Sequence, residues 1–162
     1  MTTLRFPYQP APLLGGPLAR SPSGAAIRLR PYVPIRINGP SGSRRFSRAL
    51  VDSGSDDTIF PLAAAKMIGV SSFKQPPGVS QMRIRWRGQS YLVEFADVQL
   101  ELSDAATTLR WPATVGFSSA PIPTPLLGQT GTIEFIDVKI IGADGLIELE
   151  PNARAFPGQV RP

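Results

Sequence analysis

The sequence predicts an all-β domain, and three observations carry that prediction. Apolar and polar residues alternate with a period of two through several short runs. Proline (18) and glycine (15) are plentiful in a chain of 162 residues, as expected of a β-rich fold with many turns. Helical signals are confined to Leu62–Met67 and to a turn or two within Gln129–Phe135. The expectation is about eight short strands and two short helices.

The elements follow in order. Residues 1–25 contain Pro7, Pro10, Pro12, Pro17 and Pro22 with Gly15, Gly16 and Gly24, and read as a flexible N-terminal arm. The apolar pair Leu13-Leu14 is interrupted by Pro12 and Gly15-Gly16, so no secretory signal core forms. No run approaches membrane-spanning length, so a cytoplasmic protein with no membrane span is expected. The domain proper is expected over residues 26–150. Ile27, Leu29, Val33, Ile35 and Ile37 alternate with Arg28, Arg30 and Arg36, a half-buried strand interrupted by Pro31 and Pro34. Asn38–Gly42 turns the chain, and a second strand runs from Arg45 to Asp52.

Thr58-Ile59-Phe60 reads as a short strand, and Pro61 sits where the helix Leu62–Met67 begins. Gly69 ends that helix. After the loop Gln75–Gly78, Met82–Trp86 and Tyr91–Leu102 form a hairpin around Arg87-Gly88-Gln89. Leu109–Phe117 is a further strand, and Ser118–Pro125 is a proline-rich connection. Leu126-Leu127-Gly128 ends a short apolar run. Ile136–Ile141 and Leu146–Leu149 make a last hairpin, followed by an irregular tail, 151–162.

Composition narrows the chemistry. There is no cysteine, which excludes disulfides and thiol nucleophiles. There is no histidine, which excludes Ser-His and Cys-His catalysis and His-ligated zinc. The net charge is +5, but the arginines are spread along the chain. Only Arg44-Arg45 are adjacent, with Arg48 near, and this group reads as a solvated face rather than a specific nucleic-acid groove.

One segment carries chemistry: Leu50-Val51-Asp52-Ser53-Gly54-Ser55-Asp56-Asp57-Thr58-Ile59-Phe60. An apolar strand delivers an aspartate to a tight turn, followed by a hydroxyl residue and a glycine. Backbone and hydroxyl hydrogen bonds can fix such a carboxylate for acid–base work. Taken alone, Asp52-Ser53-Gly54 reads better as a plain Asx-type turn. The three aspartates do not follow the alternating pattern of a calcium loop, since Gly54 stands where a ligand belongs.

The whole segment resembles the active-site loop of the retropepsin family, the dimeric aspartic proteases that include the retroviral enzymes. Its pattern is an apolar pair, Asp, Thr or Ser, Gly, Ala or Ser, then often Asp-Asp-Thr and an apolar pair. Leu126-Leu127-Gly128, followed by Gly131–Phe135, resembles the family's apolar-apolar-Gly segment before a short helix. The resemblance spans about residues 27 to 150, on motifs placed in their expected order.

The resemblance implies a closed β-barrel of the acid protease type, acting as a homodimer on a polypeptide substrate. It implies Asp52 as the catalytic carboxylate, one from each protomer, with no metal or organic cofactor. Ser53 would bond across the dimer, and Gly54 would lie against the paired carboxylates. Ser55, Asp56 and Asp57 would contact substrate, together with Gly78, Val79 and Ser80 in a flap over the cleft. Two other functions stand beside this one. A non-catalytic peptide-binding or scaffold domain can share the fold. A nucleic-acid-binding β-domain would need aromatics clustered with arginines on one sheet face.

Overall fold

The structure is a computed structural model that describes residues 3–12, 27–75, 77–78, 81–152 and 156. Among them, strands run in the order β1 (Leu4–Pro7), β2 (Gln9–Pro12), β3 (Ile27–Arg30), β4 (Tyr32–Asn38), β5 (Ser43–Val51) and β6 (Ile59–Pro61). The helix α1 (Leu62–Met67) follows. Then come β7 (Met82–Trp86), β8 (Gln89–Ser103), β9 (Thr108–Ser118), β10 (Leu126–Leu127), β11 (Ile136–Ile141) and β12 (Leu146–Pro151). The fold is all-β.

The main sheet has the order β4-β5-β10-β6-β9-β8-β7, and β4 also pairs with β8, so the sheet closes into a ring with β7 hanging outside it. Alternation explains the ring's inner face. Val33, Ile35 and Ile37 of β4 are buried while their neighbours are partly exposed. Along β9 the buried Leu109, Trp111, Ala113 and Val115 alternate in the same way. These side chains join Phe60, Leu100, Leu102, Phe117 and Leu127 in one core. Trp111 also donates its indole N–H to the Gly131 carbonyl at 2.8 Å, so its polar atom is satisfied inside the core.

The long β8, 15 residues, pairs with β9 from Val93 to Ser103 and with β4 at Gln99–Glu101. Beyond the ring, its first residues pair with β7 as a hairpin. Arg87 and Gly88 form the hairpin's tip, with φ of 48° and 82°. Two successive left-handed residues match the twist of a tight two-residue hairpin.

Four sequence expectations differ from the structure. First, residues 4–12 are not an irregular arm. Leu4 and Phe6 are buried, and β1 pairs antiparallel with β12, Leu4 opposite Leu149. β2 pairs with β3. Prolines are tolerated because both pairings are at edges, where a missing N–H removes no central ladder bond. Residues 13–25 of that expected arm lie outside the described residues. Second, the strand expected across Pro31 is two strands. Pro31 separates β3 from β4, and its carbonyl accepts the Val51 N–H at 3.1 Å. Third, Gln129–Phe135 forms consecutive turns, not a helix. Gly131 has φ of 86°, and the Ile133 and Glu134 N–H groups reach back five residues to Gly128 and Gln129. Fourth, the expected irregular tail begins instead within β12, which includes Pro151, and Phe156 is buried against Trp111 and Phe135.

Among the described residues no helix is long and apolar enough to cross a membrane.

Candidate active site

The Asp52 loop hangs between β5 and β6, and β10 lies between those two strands. β10 pairs parallel with β5 (Leu126 with Leu50, Leu127 with Val51) and antiparallel with β6 (Leu126 with Ile59). Two residues thus join the strand entering the loop to the strand leaving it. The loop is then bonded to the chain that follows β10. The Asp52 N–H donates to the Leu127 carbonyl at 3.0 Å. The Gln129 side-chain amide donates to the Ser53 carbonyl at 2.9 Å. The Gln129 and Thr130 N–H groups donate to the carbonyls of Ser55 and Asp56 at 2.9 and 2.8 Å. The Thr58 N–H returns the bond to the Thr130 carbonyl at 3.0 Å.

Close approach makes this zipper possible. A Cβ on Gly128 would stand 2.4 Å from the Asp57 carbonyl oxygen and 2.7 Å from that of Ser55. Beneath it, Thr58 is buried and shares its hydroxyl with that of Thr132 at 2.8 Å. The Gly128 N–H also donates to the Thr58 hydroxyl, at 3.2 Å. Thr58→Val keeps the shape and strands both partners without their bond. It is expected to cost about 1–3 kcal/mol of stability, measured by urea unfolding.

On this base Asp52 is half-buried, while Ser53 and Gly54 are exposed. One Asp52 carboxylate oxygen accepts the Gly54 N–H at 3.0 Å, which fixes the side chain over the turn. Ser55 is half-buried and its hydroxyl is turned inward, donating to the Asp57 carbonyl at 2.8 Å. Asp56 is exposed and Asp57 is half-buried. The structure therefore brings Asp52 to Asp57 together on one rigid loop.

Burial, and then the neighbouring Asp56, push the Asp57 carboxyl above its ordinary value of 3.8. Its proton is held more tightly in the folded chain than in the unfolded one. The ionised form therefore costs stability at neutral pH, and that cost disappears as pH falls through the raised value. Asp57→Asn is expected to raise the melting temperature at neutral pH and to leave it unchanged below pH 3.8. Thermal scans of both proteins across that range test this.

Of the residues expected over the cleft, Gly78 is in a separate exposed turn with φ of 79°. Val79 and Ser80 lie outside the described residues. Sequence reasoning passed over the apolar face of the β7–β8 hairpin. Ile84, Trp86 and Tyr91 pack on a small cluster of Ile59, Ala120 and Ile122. Ile59 is two residues past Asp57, and Ala120 and Ile122 lie in the connection leading to β10. The period-two spacing of Ile84 and Trp86 was the available signal for that face. Comparison of the sequence with protein-family models finds no match, and neither does comparison with curated proteins.

Proposed function

We propose that the protein is an aspartic endopeptidase that works as a homodimer, activating water between two Asp52 carboxylates, one from each protomer. The observation that carries this reading is the Asp52 loop. It is fixed from below by β10 and the Gln129–Thr130 bonds, yet its catalytic turn stands at an open surface. A single chain presents one such carboxylate segment, and a two-fold axis through the turn supplies the second.

The chemistry follows from proximity. Two facing carboxylates do not ionise together readily, so the pair holds one shared proton. The ionised member takes a proton from water, whose oxygen attacks the scissile carbonyl carbon. The protonated member donates to the carbonyl oxygen, giving a tetrahedral intermediate. Its collapse breaks the C–N bond, and a proton passes to the leaving amine. No metal or organic cofactor enters these steps. In this reading the exposed Ser53 supplies a hydroxyl that bonds across the axis.

The β7–β8 hairpin suits the covering role that the sequence assigned to the segment around Pro77–Gln81. Its apolar face already rests on Ile59, two residues past Asp57. Among the described residues β11 is an outer strand of its sheet, and its edge, with Ile140 53% exposed, suits a seam with the second protomer.

The test is cleavage of a peptide library from acidic to neutral pH, with Asp52→Asn beside the wild type, together with sedimentation velocity. Cleavage by a dimer, lost in the variant, is the expected result. A monomer at micromolar concentration that binds peptides but cuts none would make this a peptide-binding domain instead.

A further inference from the structure

A groove of about 430 Å³ lies beside the strand that delivers Asp52. Its lining includes Tyr32, Arg44, Phe46, Arg48, Pro123 and Pro125, and no carboxylate is among its described residues. The sequence placed Arg44, Arg45 and Arg48 on a plain solvated face. All three are exposed, in keeping with that reading, and two of them also lie over aromatic rings. The Arg44 guanidinium lies 5.8 Å from the centre of the Phe46 ring, and that of Arg48 lies 5.9 Å from the Tyr32 ring. Arg48 also donates to the Pro10 carbonyl at 3.3 Å.

A second basic groove is arranged differently, although Arg45 lines both. There Arg36 and Arg45 lie with Glu101 and Asp104, and Arg36 pairs with Glu101 at 3.4 Å. Among the described residues no carboxylate pairs with Arg44 or Arg48. A guanidinium in cation–π reach of a ring still has N–H groups to offer an anion, and the contact lowers the entropy cost of ordering it.

The groove is tied to the site by covalent structure. Arg48 precedes Asp52 by four residues on one extended strand, about 13 Å at the usual strand rise. The opposite wall ends at Pro125, whose carbonyl accepts the Leu50 N–H at 2.9 Å just before β10 begins. An extended peptide lying in the cleft covers the same 13 Å in about four residues.

We infer that this groove binds an acidic side chain of the peptide substrate, about four residues from the scissile bond. The inference rests on the peptidase reading for its register along the substrate. Two-fold symmetry repeats the groove at the other end of the cleft, so acidic residues are favoured on both sides of the cut. A single-stranded nucleic acid fits less well, because it needs open ring faces for base stacking. Here each ring already has a guanidinium against it.

The experiment uses labelled extended peptides carrying Asp or Glu at the fourth position on either side of a central apolar pair. Matched peptides carry Asn or Gln there. Fluorescence anisotropy on the Asp52→Asn chain reads binding without turnover. The acidic peptides are expected to bind about tenfold more tightly at low salt, and Arg44→Gln with Arg48→Gln to remove that preference. Lys66→Gln, an exposed lysine on α1 away from the groove lining, is expected to leave it intact. Thermal unfolding checks that each variant is folded.

No acidic preference, or a preference that survives the double substitution, overturns the inference. So does tighter binding of a single-stranded oligonucleotide than of the acidic peptide at the same salt. Preference without cleavage by the wild-type chain leaves the anion groove standing and sinks the peptidase reading alone. Cleavage with no acidic preference does the reverse.

Discussion

Asp52→Asn is expected to lower peptide cleavage by about 10³-fold or more, the scale of losing a positioned general base. An amide neither takes a proton from water nor holds the shared proton of a carboxylate pair. The substitution keeps the size of the side chain and the oxygen that accepts the Gly54 N–H at 3.0 Å. The melting temperature is therefore expected to stay within a few degrees of the wild type. Mixing gives a sharper result. If each site takes one Asp52 from each protomer, equal amounts of the two proteins leave about a quarter of dimers with both carboxylates, by random pairing across a two-fold axis. Activity per total protein then falls to about a quarter after subunit exchange, where independent monomers would retain half. Retention of half would exclude a shared site.

Gly128→Ala is expected to damage both stability and activity. The added Cβ would overlap the Asp57 carbonyl group and the Ser55 oxygen, at 2.4 to 2.7 Å. These are backbone atoms of the Asp52 loop, so no side-chain rotation relieves the contact. Either β10 withdraws and the Gln129–Thr130 bonds break, or the loop lifts and Asp52 moves. A loss of several kcal/mol in urea unfolding is expected, the scale of overpacking with broken buried hydrogen bonds. Gly142→Ala is the control, because nothing lies within 4 Å of a Cβ there. Unchanged stability and turnover in Gly128→Ala would mean that the loop is not held as described.

Much of the ring was readable from residue order. The alternation in β4, β8 and β9 and the Asp52 turn are local patterns, and each depends on neighbours within a few positions. What the sequence hid was pairing between distant segments. Leu126-Leu127 reads as the end of any apolar run, and nothing local says that it will lie between β5 and β6. The β1 pairing was hidden for a different reason. Pro7, Pro10 and Pro12 argue against a central strand, and that argument is sound, but it does not forbid an edge. The flat Asp and Gly content of the loop showed which groups are present; only the Thr58–Thr132 contact and the Gln129 amide show what keeps them still.

The pairing of β1 with β12 has a consequence for how the chain is made. Leu4 leaves the ribosome well before Leu149, the residue that faces it across the β1–β12 ladder. The ring from β4 to β10 holds most of the shared core and can condense earlier, as units built first do during synthesis. Until β12 arrives, β1 lacks its ladder partner, and Leu4 and Phe6 have only the ring's core to rest on. The terminal sheet is thus the late step of maturation, and a nascent chain stalled before β12 carries an assembled Asp52 loop with its ends unsewn.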